Sequence, residues 1–451
     1  MARAAAKLKS LAGTSAVGGI AYKGTSAVLT LAVFALASRA MSRESFGELV
    51  IVFNLLSFSA VVASFGQDGV FTQFWNKYIG AGDYSRARGL FLFCGSSVAV
   101  CAAAVAALIV AYFAIVESMT AVTLAAVALF MITQASALVV TAMCRSMSDY
   151  IRSDIPNEFV WRAFVLVTII ACLAGGVELR ADFFLYAATA GCVLSNAFQI
   201  AVMIRVMPEN VRRARGAVAV KELLRDSVAY LGAAATGTTT QYAEVIVIGA
   251  FLSPVEAGAY FAATRFANVF AMVSTGVSAY ALNRIAKFYF ERQFERLQAL
   301  HRETMTIVAA GGLAMFAFVV MAGRPLLGLF GSDYRSEYWT LVFLASGAFA
   351  MSLTGQAAMA LLATGHQRRF TVYQVLNIAS RMGCIVLGGR IGGSTGAALG
   401  AMVSTAPFAA LLVAANRRLL RTDPSVLCLV PWRMAGGGGK TTLSSAGVTK
   451  S

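Results

Sequence analysis

Apolar residues in this chain come in runs, each close to the length of a hydrocarbon layer and separated from the next by a short polar break. A helix rising 1.5 Å per residue needs roughly 20 such residues to cross a bilayer. The runs at 16–38, 47–66, 89–113, 120–144, 158–177, 183–204, 228–251, 258–282, 303–322, 338–363, 370–389 and 394–416 meet that need. No stretch alternates apolar and polar with the period of two, sustained over about 10 residues, that barrel strands require. The pattern predicts an all-α polytopic membrane protein with twelve transmembrane helices.

The second half of the pattern repeats the first in outline. Ser253 to Gly258 is a Ser-x-x-x-x-Gly turn opening a long apolar helix, and Ser42 to Gly47 does the same earlier in the chain. A late Gly follows in each copy (Gly66 and Gly276), then a Lys (Lys77 and Lys287), then a polar helix start (Asp83 to Arg86 and Gln293 to Arg296). Weak internal similarity of this kind is the mark of duplicated transporter folds. The expected organisation is an N-terminal lobe at 1–207, a cytoplasmic linker at 208–227 lying on anionic lipid, a C-terminal lobe at 228–423 and a disordered cytoplasmic tail at 424–451. With six spans in each lobe, the repeats are parallel across the membrane.

Composition agrees with the pattern. At 59% hydrophobic and 13% charged residues, the chain lies far from a soluble domain, about a quarter of which is charged. Its formal net charge of +16 does not indicate nucleic acid, because the position of the charges decides the reading. Of 37 Lys and Arg, 27 fall in the N-terminus, the even-numbered loops and the C-terminus, against six in the odd-numbered loops and four within spans. That asymmetry places both termini in the cytoplasm. The basic start before the first span superficially resembles a cleavable signal; a full bilayer crossing behind it makes it the first membrane helix instead.

Catalysis finds little support. The outer loops are short and hold no pair of carboxylates for acid and base roles; the seven Cys lie mostly in apolar runs without paired spacing, and there are two His. No metal or cofactor is implied. Gly436 to Thr441 resembles a phosphate-binding loop but lacks the first Gly, whose place Met434 takes, and no strand precedes it.

Charge inside the spans stands out: Lys23, Arg162, Arg265 and Arg381, against Glu158 and Glu244. A charge at mid-helix costs roughly 2.5–3.5 kcal/mol on the insertion scale, so such groups face a partner or a hydrated cavity. Glu158 and Arg162 suit a local ion pair at i,i+4. Arg265 lies ~11 Å and Arg381 ~16 Å inside their spans. Polar stripes at helical spacing accompany the charges: Ser26 and Thr30 with Lys23, Thr236 and Thr240 with Glu244, Asn268 with Arg265, Gln374 and Asn377 with Arg381, and one headed by Asn54, the repeat counterpart of Arg265. Five such stripes over both halves predict one hydrated cavity between two bundles. Packing of small polar residues is the alternative for Ser, Thr and Gly. With Glu244 as the deep acid, the excess is positive, and Arg suits bidentate phosphate recognition.

The segments from Leu36 to Gly47, Val245 to Tyr260 and Pro325 to Tyr334, with Gly66, resemble the polysaccharide flippases of the Wzx type. These belong to the superfamily that also holds MATE multidrug exporters and lipid II flippases. The resemblance covers the first ten spans. It implies two V-shaped lobes, alternating access, and translocation of undecaprenyl-diphosphate-linked oligosaccharide across the bacterial inner membrane for O-antigen, capsule or exopolysaccharide assembly. Glycan polymerase and export machinery are the implied partners, beside membrane lipids. In this reading Arg265, Arg381 and Lys23 hold the diphosphate, while Asn54, Asn268, Gln374 and Asn377 bind sugar. Glu244 stands where related flippases carry an acid and is the ion-coupling candidate, for a proton or sodium gradient, or else the partner of Arg265. The alternatives are a MATE-like small-molecule antiporter, disfavoured by the lack of acid in the first span, and a membrane glycan polymerase or ligase.

Overall fold

The computed structural model describes residues 24–117 and 119–429, and helices make up almost all of it. Helix α1 is Gly24–Ala40. It is followed by α2 (Arg43–Ala63), α3 (Gln67–Gly80), α4 (Tyr84–Val116), α5 (Ala121–Met147), α6 (Tyr150–Ala174), α7 (Ala181–Val206) and the short α8 (Glu209–Arg213). The second half comprises α9 (Val220–Phe251), α10 (Pro254–Ala267), α11 (Val269–Phe290), α12 (Phe294–Leu327), α13 (Tyr338–Ser352), α14 (Ala357–Ala363) and α15 (Gln367–Leu419).

Seven of these stretches are long and apolar enough to cross a membrane unaided, an eighth if bent α13 and α14 count together. The twelve passes are reached because α15 is two spans joined at Gly392 and Gly393, where the backbone leaves helical geometry. A further three come from α1, from Thr-rich α9 and from α10 with α11. The arms of α15 double back on each other: a Cβ added to Gly388 would meet the carbonyl of Gly396 at 2.2 Å, and one on Gly400 that of Cys384 at 2.1 Å. Small residues here permit backbone contact, the usual device for packing membrane helices. Outward-facing apolar side chains such as Leu108, Met321 and Ile391 are 71%, 79% and 90% exposed, as a lipid-facing surface demands.

Both Ser-x-x-x-x-Gly turns are helix starts. Ser42 Oγ accepts from the Ser45 amide at 3.1 Å and Ser253 Oγ from the Glu256 amide at 3.2 Å, each satisfying an otherwise unpaired N–H. Pro254 occupies the first turn, where its missing N–H costs nothing. The repeat is looser farther along: the first copy breaks at Phe65 and Gly66, both with positive φ, whereas the second breaks at Asn268 rather than near Gly276.

The two turns also meet. A Cβ on Gly47 would lie 1.9 Å from the Pro254 carbonyl oxygen, and one on Gly258 would lie 3.3 Å from the Gly47 Cα. Around this crossing Phe46 lies edge-on to Phe261, Phe330 and Tyr334. Arg39 Nε donates to Leu329 O and its Nη2 to Gly328 O, both at 2.8 Å, and Arg43 reaches Glu337 at 3.5 Å. Burial pushes the Tyr334 phenol up to about 12, so Arg43 sits over a neutral ring. At the opposite end α9 rests on α3: Gln67 Nε2 donates to Ser227 Oγ at 3.0 Å and Tyr230 to Gln73 at 2.5 Å.

Two boundaries differ from expectation. Helix α9 begins at Val220, inside the stretch read as linker, and the preceding Ala217 amide bonds to Ser85 O at 3.0 Å. The tail is docked as far as Leu429: Val426 N donates to Leu353 O at 2.9 Å and Arg302 Nε to Cys428 O at 3.0 Å. Composition alone missed this, because six residues with enough backbone partners need no apolar run of their own. The glycine-rich segment at 436–441 lies outside the described residues.

Substituting Gly47→Leu forces the two halves apart where they touch. We expect a loss of about 1–3 kcal/mol or more from overpacking, read as a lower thermal-unfolding midpoint in detergent. Gly80→Leu, at a position with open space around it, serves as control; equal midpoints for the two variants would refute the contact.

Candidate functional site

A cavity of about 720 Å³ opens inside the C-terminal half. Its wall follows the stripes that helical periodicity groups together. From α9 come Gly237, Thr240, Gln241 and Glu244, and from the first arm of α15 come Gln374, Asn377 and Arg381. Thr264, Ala267 and Asn268 close the α10 side, Thr405 the second arm of α15, and Met351, Met359, Met402, Phe370 and Phe408 supply an apolar face. The wall is thus amphipathic, with hydrogen-bonding amides on one side and soft, adaptable side chains on the other.

Glu244 and Arg381 face each other across this wall. Arg381 Nε donates to Glu244 Oε1 at 2.5 Å, and its Nη1 donates to Ala401 O at 2.9 Å and Thr405 Oγ1 at 3.2 Å. The Tyr260 hydroxyl donates to Glu244 Oε2 at 2.5 Å. The partner of Glu244 is therefore Arg381, 137 positions away in the chain, and not Arg265. They are the charged residues of the wall among the described residues. Their charges cancel, whereas the sequence suggested an excess of positive charge.

Arg265 is on a different face. Thr264, Ala267 and Asn268 share the cavity side of α10, and one residue of helical rotation carries Arg265 toward the N-terminal half. Its guanidinium stacks over Phe261 at 4.0 Å and lies 5.8 Å from the ring of Phe34 on α1. Its buried Nε has no hydrogen-bond partner, and it forms no ion pair with the described residues. The contact with aromatic faces is itself stabilising, by roughly 2 kcal/mol where desolvated. Tyr242 lies close enough to feel both Arg265 and the Glu158–Arg162 pair.

That pair forms as its spacing suggested, at 3.0 Å. It also engages the stripe on α1: Ser26 Oγ donates to Glu158 Oε2 at 2.6 Å and Arg162 Nε to Thr30 Oγ1 at 2.7 Å. A second polar cluster therefore spans α1, α6, α9 and α10, between the halves. Asn54 belongs to neither group. It is fully buried, its Nδ2 donating to Val50 O at 2.6 Å and its Oδ1 unpaired. Lys23 lies outside the described residues.

The structure thus collects Glu244, Asn268, Gln374, Asn377 and Arg381 at one cavity and sets Arg265 apart. Sequence reasoning missed Gln241, Tyr260 and Thr405. Gln241 stands three residues before Glu244 and was legible on the same stripe; Tyr260 and Thr405 reach the pair only through packing. Among the described residues no group of His, Cys, Asp and Glu could hold a metal ion.

No protein-family model matches the chain, and no curated protein matches it. Solved structures do. An inward-facing multidrug resistance MATE family transporter of the MOP superfamily aligns with 14% identity over 88% of this chain and 94% of its own, with a TM-score of 0.70. The lipid II flippase MurJ in an inward closed conformation aligns with 11% identity over 88% and 86%, at 0.67. A MOP superfamily transporter from Pyrococcus furiosus, described as having a binding pocket of reversed polarity, gives 13% identity over 90% and 94%, at 0.59. At these identities the likeness is one of fold: the chain has the twelve-helix, two-lobed architecture of MOP superfamily transporters and flippases.

Proposed function

We propose that this protein is a Wzx-type flippase that carries undecaprenyl-diphosphate-linked oligosaccharide across the bacterial inner membrane, with cytoplasmic termini. Arg265 carries the reading: a guanidinium deep in a span, placed between the halves on aromatic rings, with no carboxylate partner among the described residues. A resident cation of this kind suits a diphosphate that enters from one side and leaves from the other. Arg381 offers a second cation at the C-terminal cavity, and Asn268, Gln374 and Asn377 around it offer hydrogen bonds to sugar. Lys23, outside the described residues, is the third cation that this reading assigns to the diphosphate. The likeness to a lipid II flippase supports a lipid-linked cargo.

Rocking of one half against the other about the Gly47 crossing would change which side is open. A glycan polymerase or export complex would take the product. The competing reading is a MATE-like small-molecule antiporter, and what favours it is the charge balance of the C-terminal cavity, where Glu244 and Arg381 cancel.

Deleting the gene in its host and analysing the undecaprenyl-linked intermediates separates the two. Accumulation of a lipid-linked oligosaccharide, relieved by the wild-type gene, is the expected result; unchanged glycan with altered drug sensitivity would establish the antiporter. In the same host, Arg265→Ala and Arg381→Ala should each abolish glycan export while the protein remains in the membrane. Full export by both variants would sink the assignment.

Glu244→Gln and Arg381→Gln should each destabilise the protein, because removing one member of a buried pair costs about 3–5 kcal/mol. The double variant leaves no charge behind and should recover most of the unfolding midpoint while export stays lost. Additive losses in the double variant would show that the two side chains do not act as a pair.

A further inference from the structure

Glu244 and Arg381 are both on the wall of the cavity, Glu244 buried at 6% exposed and Arg381 partly buried at 18%. Arg381 spends Nε on Glu244 and Nη1 on Ala401 O and Thr405, and its guanidinium also meets the Tyr260 hydroxyl that bonds Glu244. An anion arriving there meets one cation already shared with a carboxylate. Two negative groups would then surround a single guanidinium in a site of low dielectric, where uncompensated charge is penalised. Protonation of Glu244 removes the excess. The proton attaches to Oε1, which frees Arg381 Nε to donate to the anion, while Oε2 goes on accepting the Tyr260 hydroxyl.

We infer that this ion pair is an exchange device: an anionic headgroup takes Arg381 from Glu244, and Glu244 takes one proton from solution in return. The inference rests on the reading of the cavity as an anion site. Glu244 is bonded by Arg381 from the first arm of α15 and by Tyr260 from α10, and Thr240, Gln241, Gln374, Asn377 and Thr405 share its cavity wall. Among these described residues only Tyr260 could otherwise titrate, and it is already a protonated donor. Glu244 is therefore the group that gains the proton. Cargo binding and proton uptake are then linked reciprocally, and the sign follows: the bound state holds the extra proton, so affinity falls as pH rises.

The test uses full-length protein in detergent with farnesyl sulfate, a prenyl anion whose headgroup has no proton of its own to exchange near neutrality, and farnesol as the uncharged control. Calorimetry in buffers of differing ionisation heat counts the protons. We expect about one proton taken up per farnesyl sulfate bound, none with farnesol, and none in Glu244→Gln. Affinity of the wild type should weaken by about tenfold per pH unit over the range where Glu244 is ionised in the free protein and protonated in the bound one, a measurement that decides the matter even if Glu244→Gln does not fold. Binding without proton uptake, or with the same uptake in Glu244→Gln, overturns the exchange but leaves the anion site standing. Uptake replaced by a dependence on sodium concentration also overturns it, by assigning Glu244 to a metal cation. No binding of farnesyl sulfate overturns the anion site and the exchange together.

Discussion

A guanidinium inside a hydrocarbon layer must be matched, and this chain meets that constraint in three different ways. Arg162 is matched by Glu158 on its own helix and by the Thr30 hydroxyl of α1. Arg381 is matched by a carboxylate from another helix and by a carbonyl and a hydroxyl at a helix crossing. Arg265 has no acid among the described residues and rests on aromatic faces. The first arrangement is local and needs no cavity. The second neutralises a cavity wall, and the third sets a cation against aromatic faces between the halves.

The arrangement holds only if the halves are placed accurately against each other, and that placement depends on backbone contact. At Gly47 the Pro254 carbonyl occupies the volume a side chain would fill, so the helix starts approach as closely as the chain permits. The aromatic ring cluster of Phe46, Phe261, Phe330 and Tyr334 then packs around a fixed crossing. Arg39 ties the same end through the carbonyls of Gly328 and Leu329. Polar bonds and ring contacts thus hold the same end of the two halves together.

The cavity and the central cluster have complementary properties. One is enclosed by a single half, is charge-balanced and carries amides beside Met and Phe. The other lies between the halves, where Tyr242 feels both Arg265 and the Glu158–Arg162 pair. Helix α10 serves both, with Thr264 and Asn268 on one face and Arg265 on the other. A shift of α10 on opening or closing would be felt at both places.

Much of this was legible along the chain, because a helix groups residues three and four apart and the bilayer sets its length. The spans, the helix starts at Ser42 and Ser253, the Glu158–Arg162 pair and the stripes ending in Glu244 and Arg381 all follow from neighbours in sequence. The same logic placed Arg265 with Asn268, and there it fails, since Asn268 shares the cavity side of α10 with Thr264 while Arg265 faces Phe34 on α1. That Glu244 belongs to Arg381, that one half alone encloses the cavity, and that Asn54 is sealed in packing were decided by tertiary structure. Each depends on which helices lie side by side. Hydropathy carries no record of that choice, because against lipid every apolar face is equally at home.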